Sequence, residues 1–387
     1  MFQWRYGDLD EQENQMKPMR VYENCCQFRL AICWILVALM SVGQSVFSAR
    51  AAEKSTEDAE WRRVDESSRK AVEYLLSQQR EDGAIVDNNR HQTTMTSLAV
   101  MAMMSVGHKP ADKTKEGAAI RKALEYVLRP DRMDEKGYFG SKDGSRMYGH
   151  GIITLMLAEV LGMGVDDKQD RLVRERLQRA IDLILKAQAV RKDNEREEGG
   201  WRYNPNSSDA DLSVTVWELI ALRAANNAGV HVPKEAIDKA VAYVKRCYQT
   251  DRKDGTKGFF CYRPNENRMR FGSGAGGLLV LQICGDYDAP EVRGSANYFL
   301  DYKIPDLNGP EYFYYGMYYY AQGMFQMRGK YADHARKVVR EILLDIQGDD
   351  GSWPMGSKDR EAGKVYVTSM AMLSLSIHYH FLPIYQR

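Results

Sequence analysis

Apolar and polar positions along the chain fall into two kinds of segment that alternate. The first kind places apolar residues at i, i+3 and i+4 with charged residues between them. Examples are Ala71-Val72-Glu73-Tyr74-Leu75, Ala123-Leu124-Glu125-Tyr126-Val127, Ala180-Ile181-Asp182-Leu183-Ile184 and Ala240-Val241-Ala242-Tyr243-Val244. Ser295-Ala296-Asn297-Tyr298-Phe299 and Val339-Arg340-Glu341-Ile342-Leu343 are looser copies. This spacing predicts amphipathic helices with one face in water. The copies begin about 45 to 60 residues apart, a period typical of helical-repeat architectures.

The second kind is apolar nearly all round. These segments run from Thr93 to Gly107, Met147 to Gly162, Ser213 to Gly229, Gly274 to Gly285, Phe313 to Gly329 and Val365 to His378. A helix of that composition is buried on every side. A glycine-centred turn leads from each first helix into its second. Gln79 precedes Gly83, Gln188 precedes Gly199-Gly200-Trp201, and Gln347 precedes Gly351-Ser352-Trp353. Gly137-Tyr138-Phe139 and Gly258-Phe259-Phe260 are the matching aromatic turns. Six two-faced and six all-apolar helices make two concentric layers. No polar capping repeat stands at either end, so the repeats are expected to close on themselves. The predicted fold is all-α: an α6/α6 toroid (α/α barrel) of six helical hairpins. Strands are not expected, and the linkers Lys109–Lys115, Asp166–Arg171 and Asp286–Glu291 are short and polar.

The N-terminus changes the picture of where the chain works. Leu30 to Val42 is an unbroken apolar run, with Arg20 and Arg29 ahead of it and Ala49-Arg50-Ala51 behind. Basic, apolar and small-residue segments in that order read as a secretory signal peptide. Roughly 13 apolar residues fall short of the ~20 needed to span a bilayer. An uncleaved anchor is the alternative, because Gly43 to Phe47 extends the run. The acidic stretch Asp8–Glu13 suits a signal poorly, and a start at Met16 or Met19 gives a compact basic leader. The expected organisation is an extension and signal over 1–51, a linker over 52–64, and one toroid over 65–387, secreted or periplasmic. Cleavage leaves no stable membrane span. It also leaves Cys247, Cys261 and Cys284, an odd number that argues for buried free thiols over a disulfide framework. With 44% hydrophobic and 28% charged residues the chain can bury a substantial core. The net charge of +1, without a Lys/Arg tract, excludes nucleic acid as a natural partner.

The phrases Gln347-x-x-x-Gly351-x-Trp353 and Gln188…Gly200-Trp201 resemble the glutamine–tryptophan repeat of squalene and oxidosqualene cyclases. The wider group is the prenyltransferase and squalene oxidase repeat proteins, and the likeness covers about residues 65–387. It implies a toroid whose cavity opens at the inner-helix N-termini and takes an isoprenoid or other apolar ligand. Asp209-Ala210-Asp211-Leu212 looks like the Asp-x-Asp-Asp motif of proton-initiated cyclases, which would make Asp211 the acid and Asp209 its neighbour; Leu212 departs from the pattern. Physically, a helix N-terminus favours a carboxylate, so Asp211 also reads as an N-cap. The zinc ligands of protein prenyltransferases are not matched: Phe259 and Phe260 precede Cys261, and Tyr312 and Tyr366 stand at the last two inner-helix starts. No metal and no cofactor are expected.

A closed ring would bring Thr94, Tyr148, His150, Asp209, Asp211, Arg270, Glu311, Tyr314 and Tyr366 to one mouth. Asp211, Asp209 and Glu311 are the catalytic candidates; paired carboxylates such as Asp211 and Glu311 suit general acid–base work, including glycosidic cleavage. His150, Tyr148, Arg270, Tyr314 and Tyr366 are the substrate-binding candidates. The aromatic run Tyr312–Tyr320 reads mainly as core packing, with some rings lining the cavity. Trp201, Trp217 and Trp353 read as structural, and Arg263, Arg268 and Arg270 as a solvated loop or an anion site. Two further functions stay open beside the apolar ligand: a non-catalytic module for lipid, peptide or glycan, and a carbohydrate-active α/α-barrel enzyme. Export favours these, since isoprenoid diphosphates belong mainly to the cytoplasm. The oligomeric state is not legible.

Overall fold

The computed structural model describes residues 58–164, 166–379 and 381–385. The segment read as a signal peptide, and the alternative starts at Met16 and Met19, lie outside the described residues. Helices α1 (residues 58–77), α2 (Gln92–Ser105), α3 (Lys115–Val127) and the short α4 (Phe139–Asp143) open the fold. They are followed by α5 (Arg146–Val160), α6 (Asp167–Gln188), α7 (Leu212–Asn227) and α8 (Lys234–Arg246). After a small hairpin come α9 (Phe271–Ile283), α10 (Pro290–Leu300), α11 (Phe313–Gln326), α12 (Gly329–Ile346) and α13 (Lys364–Leu375).

Burial sorts them as the apolar pattern predicts. Every residue of α9 is buried, whereas α6 buries Val173, Leu177, Ala180, Ile181, Ile184 and Ala187 along one face and leaves the other wet. Helices α2, α5, α7, α9, α11 and α13 form the inner layer. Each packs on the next, and α13 returns to α2. The ring is closed, and the described residues from Arg63 onward fall in one compact unit. Residues 58–64, expected as linker, are helical.

The repeated Gln and Trp residues hold this ring together. Gln79 Nε2 donates to Gly83 O at 3.2 Å and to Ala119 O of α3 at 2.8 Å. Gln188 Nε2 donates to Gly199 O and to Ala236 O of α8, both at 2.9 Å. Gln347 Nε2 donates to Gly351 O at 2.9 Å and to Ser67 O of α1 at 3.0 Å. Each glutamine thus ties its own turn to the next outer helix, and the last one ties the end of the ring to its beginning. The tryptophans fold back: Trp201 Nε1 donates to Ile184 O and Trp353 Nε1 to Leu343 O, both at 2.8 Å. Gly351 is required by two constraints together. Its φ is +83°, and a Cβ there would stand 2.3 Å from Lys70 O.

Among the described residues, β1 (Tyr248–Thr250) pairs antiparallel with β2 (Gly258–Phe260), where only an aromatic turn was expected. Tyr248 opposes Phe260, with ring centroids 5.2 Å apart; such cross-strand aromatic pairs stabilise a short ladder. Cys247, Cys261 and Cys284 are free thiols, the first two buried, and burial pushes Cys261 up to about 11. Among the described residues no helix is long and apolar enough to cross a membrane.

Two substitutions probe the closure. Gln347→Ala should lower unfolding free energy by about 1–3 kcal/mol, the penalty for leaving partly buried carbonyls unsatisfied. Gly351→Ala should destabilise more, because strain and clash act together. Urea unfolding of both variants checks the order; an unchanged midpoint for Gln347→Ala would remove the clamp from the account.

Candidate functional site

The inner-helix N-termini meet at one end of the ring, and those of α2, α5, α7 and α13 are each finished by a group from the next repeat. Asp143 accepts from Thr93 N at 2.9 Å and Thr94 N at 3.1 Å at the start of α2. Met147 N of α5 donates to Tyr203 O at 3.0 Å, and Leu212 N of α7 donates to Tyr262 O at 2.9 Å. At α13, Lys364 N and Val365 N donate to Asp87 at 2.5 and 3.3 Å, which closes the circle. Orphan helix N–H groups are satisfied in trans, so the mouth is rigid because the ring is closed.

Asp211 stands at the start of α7 and is fully buried. It caps α7: Oδ1 accepts from Val214 N at 2.9 Å and from Ser213 Oγ at 2.6 Å. Oδ2 accepts from Arg202 Nη1 at 2.5 Å. Both oxygens are therefore engaged within the protein, which is the N-cap arrangement. Asp209 pairs with Arg202 at 3.2 Å and with Arg263 at 2.8 Å. The Arg202 guanidinium also bonds Tyr262 Oη at 2.7 Å and lies over the Tyr203 ring at 4.2 Å. Glu311 lies in the loop before α11. It lies 3.9 Å from Arg268 and beside Tyr302, whose hydroxyl burial and Glu311 push up to about 12.

Around these groups runs a wall of partly accessible tyrosines: Tyr148, Tyr203, Tyr262, Tyr315 and Tyr366. Tyr148 Oη bonds Ser213 Oγ, and Tyr315 Oη donates to Ser213 O at 2.9 Å. Tyr203 and Tyr262 share a hydroxyl–hydroxyl bond of 2.7 Å. Burial raises the hydroxyls of Tyr148, Tyr315 and Tyr366 well above the ordinary phenol range, so they are neutral donors. Trp217 is buried and stacks on Tyr318 at 5.8 Å. Trp201 and Trp353 are buried as well.

Of the residues read from the sequence, Tyr148, Asp209, Asp211 and Tyr366 come together here. Arg270 lies at the edge, 4.4 Å over the Tyr262 ring and 3.8 Å from Glu266. His150 does not reach the mouth. It is fully buried in the seam to α6, with Nε2 on Ala180 O at 3.1 Å, and desolvation lowers it to about 4. Tyr314 is also buried, and its hydroxyl donates to Pro354 O at 2.6 Å. These two correct the expected list for one reason: in a buried helix start, the register around the axis decides between lumen and seam.

The sequence reading missed Arg202, Tyr203, Tyr262 and Tyr315, which loop folding and ring closure deliver, and two buried carboxyls. Glu218 on α7 has no hydrogen-bond partner among the described residues, and desolvation raises it well above the carboxylate range. Asp359, in the loop before α13, is 1% exposed with neither side-chain oxygen bonded. Burial pushes it up to about 6, and it faces Tyr314 and Tyr366 electrostatically. Among the described residues no group of three or more His, Cys, Asp or Glu stands in metal-binding geometry.

The sequence matches no family model and no curated protein. Solved structures do share the fold. The α-1,6-mannanase GH76A of Salegentibacter sp. HEL1_6 superposes with a TM-score of 0.57 at 10% identity, covering 81% of this chain and 98% of that one. An inactive variant of it, with two successive aspartates replaced by asparagine, is in complex with α-1,6-mannotriose and matches with TM-score 0.57 at 10% identity, over 81% of this chain and 99% of that one. A glycosidase variant in complex with glucose matches at 0.52 and 11% identity, over 83% and 98%. At such identities the likeness shows the fold, an α/α toroid. The expectation of an isoprenoid or other apolar ligand, and of cyclase or prenyltransferase chemistry, is corrected by this finding: the toroids found similar are glycosidases that hold sugars.

Asp211→Ala should destabilise by roughly 1–3 kcal/mol, since it removes a cap and takes from Arg202 the buried one of its two carboxylate partners. Thermal unfolding checks it, and a loss below 1 kcal/mol would make Asp211 dispensable to the fold. Asp359 makes the opposite prediction. Its folded-state value lies above its ordinary one, so folding holds a proton there. Stability is lost as pH rises from about 4 to about 6, reaching a deficit of at most ~3 kcal/mol. Asp359→Asn should stabilise the protein at pH 7.5 and make no difference near pH 3.5. Denaturation midpoints at both pH values test the sign.

Proposed function

We propose that this chain is a carbohydrate-active toroid that binds an oligosaccharide at the mouth formed by the inner-helix starts. The observation that carries this reading is the wall of neutral, half-buried tyrosines around a rigid polar floor. Pyranose rings present C–H faces to aromatic rings and hydroxyls to fixed polar groups, and such a wall offers both. An isoprenoid would leave the Arg202–Asp211–Tyr262 cluster facing hydrocarbon, which is unfavourable. The sugars held by similarly folded glycosidases support the same class of ligand. The reading also fits an export segment over 1–51, which we retain as a proposal with the toroid following it.

A second reading, glycosidic hydrolysis, is favoured by Asp359. A general acid must hold its proton near working pH, and a carboxyl raised to about 6 does so. Asp359 would give its proton to the glycosidic oxygen as the C1–O bond breaks. Glu311 would take a proton from the water that adds to C1. Asp211 and Asp209, committed to Arg202 and Arg263, would position the floor. The loop before α13 would have to open, because neither Asp359 oxygen is accessible when it is closed. Successive aspartates, replaced in the inactive mannanase, occur here as Asp166-Asp167 and Asp349-Asp350. Asp166 caps α6, and Asp350 is paired with Lys364 at 3.0 Å, so neither pair stands free for catalysis.

Calorimetry with α-1,6-mannotetraose should give saturable binding that weakens about tenfold or more in Tyr366→Ala. Absence of binding at millimolar sugar, for this and other neutral oligosaccharides, would sink the glycan reading. If products are released, Asp359→Asn should stop turnover while binding persists; unchanged turnover would end the hydrolytic reading alone.

A further inference from the structure

Resting on the glycan reading, we propose that the mouth takes an extended, uncharged oligosaccharide along a track of six tyrosines, rather than a single sugar or an anionic glycan. The track begins at Tyr312, which stands 57% exposed at the start of α11. Tyr366 stands at the start of α13, which packs on α11, and Tyr312 and Tyr315 at the start of α11 act on its hydroxyl. Tyr315 and Tyr148 of α5 both bond Ser213, and the Tyr148 ring lies 5.8 Å from that of Tyr203. Tyr203 reaches Tyr262 through their shared hydroxyl bond of 2.7 Å. The six residues thus pass the starts of α11, α13 and α5 and the loops before α7 and α9. Packed helices stand about 8–10 Å apart, so a track that crosses several helix starts is longer than one pyranose.

The hydroxyls of Tyr148, Tyr203, Tyr262 and Tyr315 are all bonded within the protein. What these side chains leave for a ligand is ring, which suits successive C–H faces of a chain of sugars. Charge selects the class. Arg202 is paired with Asp209 and Asp211, Arg263 with Asp209 and Glu197, Arg268 with Glu311, and Arg270 with Glu266. At the floor, a carboxylated or sulfated chain would have to draw Arg202 or Arg263 from its carboxylate partners. At Arg202 that would strand the buried Asp211 without its counter-charge. A neutral chain asks for no such exchange.

The test is calorimetry on the intact protein with mannose, α-1,6-mannobiose, -triose and -tetraose, the matching cello-oligosaccharides, and trigalacturonic acid, each at 50 and 500 mM NaCl. Affinity for one neutral series should climb about tenfold or more from monosaccharide to tetrasaccharide, with no dependence on salt. Tyr312→Ala, an exposed position where the fold is not at stake, should lower tetrasaccharide affinity several-fold and leave the disaccharide unchanged. Trigalacturonate binding more tightly than neutral trisaccharides, and weakening with salt, would overturn the proposal while leaving a glycan site. So would a monosaccharide that binds as tightly as the tetrasaccharide. Failure of every saccharide, neutral or anionic, would overturn the glycan reading and this one with it.

Discussion

The hydrogen bonds from Gln347 to Gly351 and Ser67 join the last repeat to the first, and much of the molecule's behaviour follows from that join. An open array of helical hairpins would leave apolar faces of α2 and α13 in water. Closing it buries them against each other and fixes the angle between successive hairpins. The same Gln–Gly device recurs at Gln79 and Gln188, so closure is the periodic contact of the chain applied once more, with the partner found across 280 residues.

Closure also makes the mouth. The starts of α2, α5, α7 and α13 are completed by the neighbouring repeat, through Asp143, Tyr203 O, Tyr262 O and Asp87. None of these groups is available to a free hairpin. The polar floor inherits this rigidity: Arg202 is held by two carboxylates and two aromatic rings before any ligand arrives. Such preorganisation lowers the ordering penalty on binding. It also consumes charge, which is why the mouth offers tyrosine rings and compensated ion pairs rather than a bare acid. The two unbonded carboxyls, Glu218 and Asp359, lie buried beyond the accessible wall and owe their raised values to that burial.

The resemblance to cyclase repeats rested on Gln188, Trp201, Gln347 and Trp353, and these prove to be clamps and plugs between repeats. They report how a toroid is held together, which is why they named the scaffold and misdirected the chemistry. Asp211 shows the same distinction. Its place before an apolar helix marked it as a cap, and the cap is what the geometry contains; the Asp-x-Asp-x phrase around it carried no further information about reaction.

Periodicity by itself determined the twelve helices, their division into wet and dry layers, and the glycine turns, because helix burial repeats every few residues and is written locally. Tertiary structure alone decided which helix-start side chains face the lumen. His150 and Tyr314 turned into seams while Tyr203, Tyr262 and Tyr315 joined Tyr148 and Tyr366 at the wall. The reason is rotational: a helix buried on every side has no polar face to announce its inward direction. Only contact with the inner helix on either side, a pair that ring closure completes for α2 and α13, settles it.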